Sequence, residues 1–323
     1  MLDRYGRVIN YLRISVTDRC NLRCCYCMPE GVQDVGMKNI LTFEKIWEIV
    51  RTGVSLGITH IRITGGEPLV RKGCVNLIRG IREIPGVETI TMTTNGVLLG
   101  NYAKQLKEAG VDGVNISLDT LDPEEFYKIT GKRELQEVLA GIRAAKTAGL
   151  PVKLNAVNRK ELDPIPLVRY AQEENLPIRF IEMMPVGYGK KYVGRSNEEL
   201  RETLEAVCGN AECMTNREEL SRMGSGPAVY YQFSDLKVPV GFISAIHGKF
   251  CDTCNRVRLT AEGYLKLCLC YDEGENLRRV LREGEKENLR TIMEQTIFRK
   301  PAAHCFEHPA EMTETHEMVK IGG

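Results

Sequence analysis

The chain lacks a dominant charge: 44 lysines and arginines face 43 aspartates and glutamates, for a net charge of +1 over 323 residues. That balance argues against a surface built to coat nucleic acid, so any anion site must be a local concentration of positive charge. No apolar run approaches the roughly 20 residues that cross a bilayer. The opening Met1-Leu2-Asp3-Arg4-Tyr5 lacks the apolar core of a signal peptide. No membrane or nucleic-acid partner is therefore expected, and the expected location is the cytoplasm. There is no low-complexity tract, and no repeat beyond a recurring strand–helix unit. Hydrophobic residues make up 43%, enough for a substantial core. The length suits a barrel with an appended unit.

Cysteine is the residue in excess, with twelve copies. Disulfides are disfavoured in the cytoplasm, so clustered cysteines point to metal or redox chemistry. Six form two tight groups, Cys20, Cys24, Cys27 and Cys251, Cys254, Cys268. Cys25, Cys74, Cys208, Cys213, Cys270 and Cys305 follow no comparable pattern.

Apolar or alternating runs predict strands over Tyr11–Val16, His60–Thr64, Thr89–Thr93, Gly113–Ser117, Val152–Val157 and Ile178–Glu182. Amphipathic segments between them include Thr42–Leu56, Asn101–Ala109, Leu135–Ala148 and Pro164–Glu174. Six such alternations imply right-handed βαβ units and a parallel sheet, read here as an incomplete (βα)6 barrel of the TIM type. One alternating face of the strands is polar: Arg13 and Ser15, Arg62 and Thr64, Thr91 and Thr93, Asn115 and Ser117, Lys153 and Asn155, and Arg179. Packed barrels fill the lumen with Val, Ile and Leu. A polar inner face makes it a site for an anionic ligand, unless that face is simply exposed to solvent. The rhythm breaks after about Pro185, and glycine, serine and charge dominate up to Ser225-Gly226-Pro227. We divide the chain into residues 1–222, the barrel with the first cysteine group, and 223–323, which holds the second group, a charged helical stretch Asn276–Gln295 and the closing Gly322-Gly323.

Cys20-x3-Cys24-x2-Cys27 supplies three thiolates directly after the first strand. A four-iron cluster normally takes four cysteines, so three leave one iron open. An open iron can chelate the amino and carboxylate groups of S-adenosylmethionine (SAM) and pass it one electron. Zinc usually takes four ligands in paired Cys-x2-Cys knuckles, and the three-residue first gap and the absence of a nearby fourth ligand count against it here. Cys25 is read as a bystander. With Tyr26 before the last cysteine, and Gly65-Gly66-Glu67-Pro68 after the second strand, the chain resembles the radical SAM superfamily. The second group, Cys251-x2-Cys254-x13-Cys268, again offers three thiolates, beside Arg256 and Arg258. On spacing alone a zinc ribbon stays open there, with Cys270, His247 or Cys305 as fourth ligand.

The wider set of motifs resembles the GTP 3′,8-cyclase family within that superfamily. It includes Arg13–Asn21, Thr64–Pro68, Thr93–Gly96, Asn115–Asp119, Arg179–Pro185, Cys251–Leu269, Lys300-Pro301-x2-His304 and the terminal Gly-Gly. The resemblance implies two [4Fe-4S] clusters, on Cys20, Cys24 and Cys27 and on Cys251, Cys254 and Cys268, closing opposite mouths of an incomplete barrel. It implies SAM contacts from Tyr26, Gly65, Gly66, Glu67, Ser117 and Met184. GTP contacts would come from Arg13, Arg62, Thr93, Lys153, Arg179, Arg256 and Arg258, with Arg13, Arg256, Arg258, Gly322 and Gly323 serving catalysis. His60 stands where relatives often carry lysine, which removes one phosphate contact from the expectation. Several cationic side chains in one lumen suit a triphosphate, whose oxygens Arg forks bind in pairs.

The implied reaction opens molybdenum cofactor biosynthesis. A 5′-deoxyadenosyl radical takes hydrogen from C3′ of GTP, the C3′ radical attacks C8 of guanine, and one electron and one proton complete 3′,8-cyclo-7,8-dihydro-GTP. Implied partners are a one-electron reductant of the flavodoxin or ferredoxin type and a downstream cyclic pyranopterin monophosphate synthase, with a homodimer an open possibility. The alternatives are another radical SAM enzyme with an auxiliary cluster, acting on peptide or protein, and a non-enzymatic iron–sulfur or zinc protein.

Overall fold

The computed structural model describes residues 1–29, 35–192, 194–224, 226–282 and 286–322. Its strands are β1 (Tyr11–Ser15), β2 (His60–Thr64), β3 (Thr89–Thr94), β4 (Gly113–Ser117), β5 (Val152–Asn158), β6 (Ile178–Glu182), β7 (Ala211–Cys213), β8 (Val229–Phe233), β9 (Val240–Ile243), β10 (Arg256–Leu259), β11 (Tyr264–Lys266) and β12 (Gly274–Asn276). They form one sheet in the order β12-β11-β10-β1-β2-β3-β4-β5-β6-β9-β8-β7. The eight central strands, β10 through β9, run parallel. The outer pairs are antiparallel. β7 and β12 end the order without pairing to each other, so the barrel is incomplete.

The six expected strands match β1 to β6 within a residue at each end. The region after residue 222 extends that six-unit core at both edges, through β9 on one side and β10 on the other. Between the first six strands run helices α1 (Phe43–Ser55), α2 (Cys74–Arg82), α3 (Leu99–Glu108), α4 (Pro123–Thr130), α5 (Leu135–Thr147) and α6 (Ile165–Glu173).

Period two decides which side of each strand is apolar. Leu12 and Ile14, Ile61 and Ile63, Ile90 and Met92, Val114 and Ile116, Leu154 and Ala156, and Ile178 and Phe180 are all buried. They form one core with the helix faces, such as Ile46, Ile49 and Val50 on α1 and Leu77, Ile78 and Ile81 on α2. The opposite face carries the polar set. Register sets Arg258, Arg13, Arg62 and Thr91 in one row across four strands. Thr93, Asn115 and Lys153 form a second row, and Ser117, Asn155 and Arg179 a third.

The helical layer is tight where α1 meets α2. Trp47 donates its indole N–H to the Leu77 carbonyl at 3.0 Å, and a Cβ on Gly80 would fall 2.5 Å from the indole ring. Helix propensity favours alanine over glycine by about 1 kcal/mol, whereas overpacking a core costs about 1–3 kcal/mol. Gly80→Ala is therefore expected to lower the thermal unfolding midpoint and to shift the fluorescence of the single tryptophan. An unchanged or raised midpoint would show that Trp47 yields without cost.

Candidate active site

The polar faces of the strands enclose a cavity of about 350 Å³. Topology sets the two cysteine groups at its opposite ends. Cys20, Cys24 and Cys27 follow the carboxyl end of β1. Cys251 and Cys254 precede the amino end of β10, which runs parallel to β1. Cys268 follows β11, antiparallel to β10, and so returns to that same end. All six cysteines line the cavity.

At the first end, glycine permits a close approach. A Cβ on Gly65 would fall 2.6 Å from the Thr17 carbonyl oxygen, and one on Gly66 2.4 Å from that of Arg19. Without those carbons the turn after β2 docks on the chain entering Cys20, where Gly66 N–H donates to Thr17 and Glu67 N–H to Arg19. Glu67 is fully buried behind the cavity wall. Its carboxylate accepts from Leu69 N–H (3.1 Å), Asn95 N–H (2.7 Å) and the Thr94 hydroxyl (2.8 Å), which fixes the turn to the end of β3. Burial nevertheless raises its pKa to about 7. Asn95 also reaches Asn21 at 2.8 Å. Tyr26 donates its hydroxyl to Asp119 at 2.8 Å, and Asp119 accepts from Val157 N–H as well.

Burial pushes the Cys20 thiol up to about 11 and Cys27 to about 12, and it raises Cys24 well above the ordinary thiol value. The neighbouring thiols add to the shift at Cys24 and Cys27. Three thiolates here need a cationic group among them. Among the described residues no three His, Cys, Asp or Glu side chains converge to hold a single metal ion. Three cysteine donors fit a four-iron cluster that keeps one iron open. Cys25 is off the cavity wall, with Arg159 3.8 Å from its sulfur.

At the second end, Arg7 is buried and donates to the Cys251 carbonyl (2.9 Å) and to those of Pro301 (2.7 Å) and Ala302 (2.8 Å), while Asp3 accepts from its Nε at 2.6 Å. One guanidinium thus ties the Cys251 turn to the segment after residue 299. Lys300 Nζ donates to the Leu267 carbonyl at 2.5 Å, beside Cys268. Burial raises the Cys254 pKa, but the charges of Lys300 and Arg256 outweigh it and leave this thiol at about 7. Those two cations thus favour the thiolate form of Cys254. His304 donates its backbone N–H toward Cys251 Sγ and stacks on Phe306, with ring centroids 4.4 Å apart.

Arg13, Arg62, Arg179, Arg256 and Arg258 line the cavity as well, so that with Lys300 it carries six cations. Glu182 is the one carboxylate among the described lining residues, and its oxygens accept from the backbone N–H groups of Asn197, Ile246 and His247. The cations are crowded. Burial and then the charge of Arg258 hold Arg13 well below the usual guanidinium range. Burial and Arg256 bring Arg258 down to about 10. Burial, Arg179 and Arg62 bring Lys153 to about 8. Arg179 is aimed by Asn155 (2.9 Å) and Asn115 (2.5 Å), and Arg62 by the Thr91 hydroxyl (3.1 Å). The Thr93 hydroxyl is buried on the same wall without a hydrogen-bond partner. A polyanion would relieve the repulsion and occupy these donors.

Tyr26, Gly65, Gly66, Ser117, Met184 and Thr93 line the cavity with the cysteines and arginines. Lys153 does not: its Nζ donates to the Met223 carbonyl at 3.0 Å. Gly322 lies near Ser15 and accepts from Arg258 at 2.9 Å through its carbonyl. Gly323 lies outside the described residues. His60 stays on the strand face, 3.0 Å from the Thr89 hydroxyl. Sequence reasoning gave no role to Arg7. Asn95, Asp119, Lys300 and His304 were visible only as members of motifs.

Residues 14–164 match the radical SAM superfamily, and residues 176–306 match the molybdenum cofactor synthesis C family. The chain is 42% identical to a GTP 3′,8-cyclase of Clostridium perfringens (strain 13 / Type A) and 43% identical to one of Petrotoga mobilis, each alignment covering all of both chains. Among solved structures, Streptococcus suis SuiB bound to S-adenosylmethionine shares the fold at TM-score 0.66 and 15% identity, over 97% of this chain and 77% of that one. The AdoMet-bound anSMEcpe aligns at TM-score 0.58 and 17% identity, over 90% of this chain and 81% of that one. Among the described residues no helix is long and apolar enough to cross a membrane. Full-length identity above 40% to those relatives, joined to the radical SAM match over the first cysteine group, means that this chain belongs to the GTP 3′,8-cyclase family of radical SAM proteins.

Proposed function

We propose that the chain converts GTP to (8S)-3′,8-cyclo-7,8-dihydro-GTP, the first step of molybdenum cofactor biosynthesis. The observation that carries this reading is a single cavity with three thiols at each end and six cations along its wall. In this reading residues 1–222 hold a [4Fe-4S] cluster on Cys20, Cys24 and Cys27, and residues 223–323 hold a second on Cys251, Cys254 and Cys268. When bound, the first cluster and SAM supply a 5′-deoxyadenosyl radical able to remove the C3′ hydrogen of GTP.

The chain's own residues position and protect. Tyr26, Gly65, Gly66, Ser117 and Met184 surround SAM, while Glu67 acts from behind by fixing the turn. Arg13, Arg62, Arg179, Arg256 and Arg258 meet the triphosphate and sugar, with Thr93 as a further donor. Lys153 serves from the edge of the lumen, where its charge adds to that of Arg62 and Arg179. The second end receives the guanine base. Strand-borne side chains aimed by Asn115, Asn155 and Thr91 hold a reacting pair in one geometry, which is worth more than any single contact. A one-electron reductant reaches the first cluster from outside, and the product passes to a cyclic pyranopterin monophosphate synthase.

The test is product analysis after anaerobic incubation with SAM, a reductant and GTP. The wild-type chain should hold about eight irons, four per cluster, and form the cyclic product. Cys24→Ala should abolish both SAM cleavage and product. Cys254→Ala should retain some SAM cleavage and lose the product. Product from Cys254→Ala, or stoichiometric zinc with about four irons, would remove the second cluster from the account.

The hydrogen bond from Arg258 to the Gly322 carbonyl supports a positioning role for the tail. A chain ending at Ile321 should keep its iron and most of its GTP affinity, yet lose product formation by roughly two orders of magnitude or more, as misplacement of reacting groups does. Full activity in that truncation would make the tail a mere chain end.

A further inference from the structure

Cys270 and Cys305 belong to neither three-thiol group and do not line the cavity. Their sulfurs are nevertheless 3.1 Å apart, and Cys305 N–H donates to Cys270 Sγ at 3.2 Å. Both are buried, 0% and 7% exposed, in a small apolar cluster with Val186, Leu269, Phe306 and Ile321. The pair joins two segments that matter to the site. Cys270 lies two residues beyond Cys268, and Cys305 opens the stretch that runs to Gly322. Two further contacts fasten the same segments: Glu314 N–H donates to the Cys270 carbonyl, and Glu314 pairs with the buried ammonium of Lys266. Among the described residues no third His, Cys, Asp or Glu joins the two thiols in a group that could hold a metal ion.

We propose that Cys270 and Cys305 are a redox pair that closes to a disulfide and fastens the C-terminal segment against the loop carrying Cys268. The sulfurs need to approach by only about 1 Å to reach disulfide bonding distance. The oxidant is a small-molecule disulfide. Cys305, which retains some exposure, attacks one of its sulfurs, forms a mixed disulfide and releases one thiol. Cys270 then attacks the Cys305 sulfur, forms the internal bond and releases the second thiol. The two side chains lose two electrons and two protons, and the reagent leaves as two thiols. A dithiol reverses both steps. The bond would hold the tail docked beneath Arg258 and slow its local opening. This holds whichever ligands fill the cavity.

The experiment uses the full-length, anaerobically reconstituted protein treated with oxidised glutathione. Free thiols are then blocked in denaturant and the digest is mapped by mass spectrometry. The expected result is a Cys270–Cys305 cross-linked peptide as the main new disulfide, with iron content unchanged. Amide exchange across residues 306–322 should slow roughly tenfold or more in the oxidised form, because the tail can no longer open alone. In Cys270→Ser the glutathione should stay on Cys305. Recovery of both residues as free thiols in the wild-type chain, or pairing of either with another cysteine, would overturn the assignment. A cross-link without slowed exchange would overturn the fastening role.

Discussion

The constraint on which the rest of this molecule depends is the crowding of half-buried cations along one cavity wall. Arg13, Arg62, Arg256 and Arg258 share one wall, where burial first, and then the charge of neighbouring arginines, lowers the pKa of Arg13, Arg62 and Arg258. Among the described lining residues Glu182 is the one carboxylate, and its oxygens already accept from three backbone N–H groups. A cavity charged in this way is unfavourable when empty of anions and favourable around a polyphosphate. The near-zero net charge of the whole chain sharpens the point, because the positive charge is concentrated where the polar strand faces meet.

The two ends of the cavity solve a common problem by different means. Each must hold three thiols on loops at the strand ends. At the first end, backbone lies against backbone, and Gly65 and Gly66 leave room for the Thr17 and Arg19 carbonyls. At the second, side chains reach in: Arg7 gathers carbonyls from Cys251, Pro301 and Ala302, and Lys300 holds Leu267. The charge of Lys300 also lowers the pKa of Cys254. The cations therefore organise the second end twice, by hydrogen bonding and by field.

Much of this was legible before any coordinates, and the reason is periodicity. Alternation along β1 to β6 sorted apolar from polar faces and so identified Arg13, Arg62, Thr93, Asn155 and Arg179 as lumen residues. Strand parity says which side a residue faces, but not what it meets there. Lys153 has the right parity, yet the Met223 carbonyl takes its ammonium. Glu67 lies beyond the end of its strand, where parity carries no information, and three donors draw it behind the wall. β9 and β10 are four residues each, too short for a periodic signal, so their places at the edges of the sheet were not legible. Arg7 was invisible for a similar reason: its partners are carbonyls 244 and about 295 residues away.

The central proposal is that the cation-lined cavity holds GTP with C3′ toward the first cysteine group. GTP carrying deuterium only at C3′ tests it directly. The account predicts that one deuterium appears in 5′-deoxyadenosine for each cyclic product formed. Deuterium-free 5′-deoxyadenosine alongside product, or transfer only from label at another ribose carbon, would contradict it.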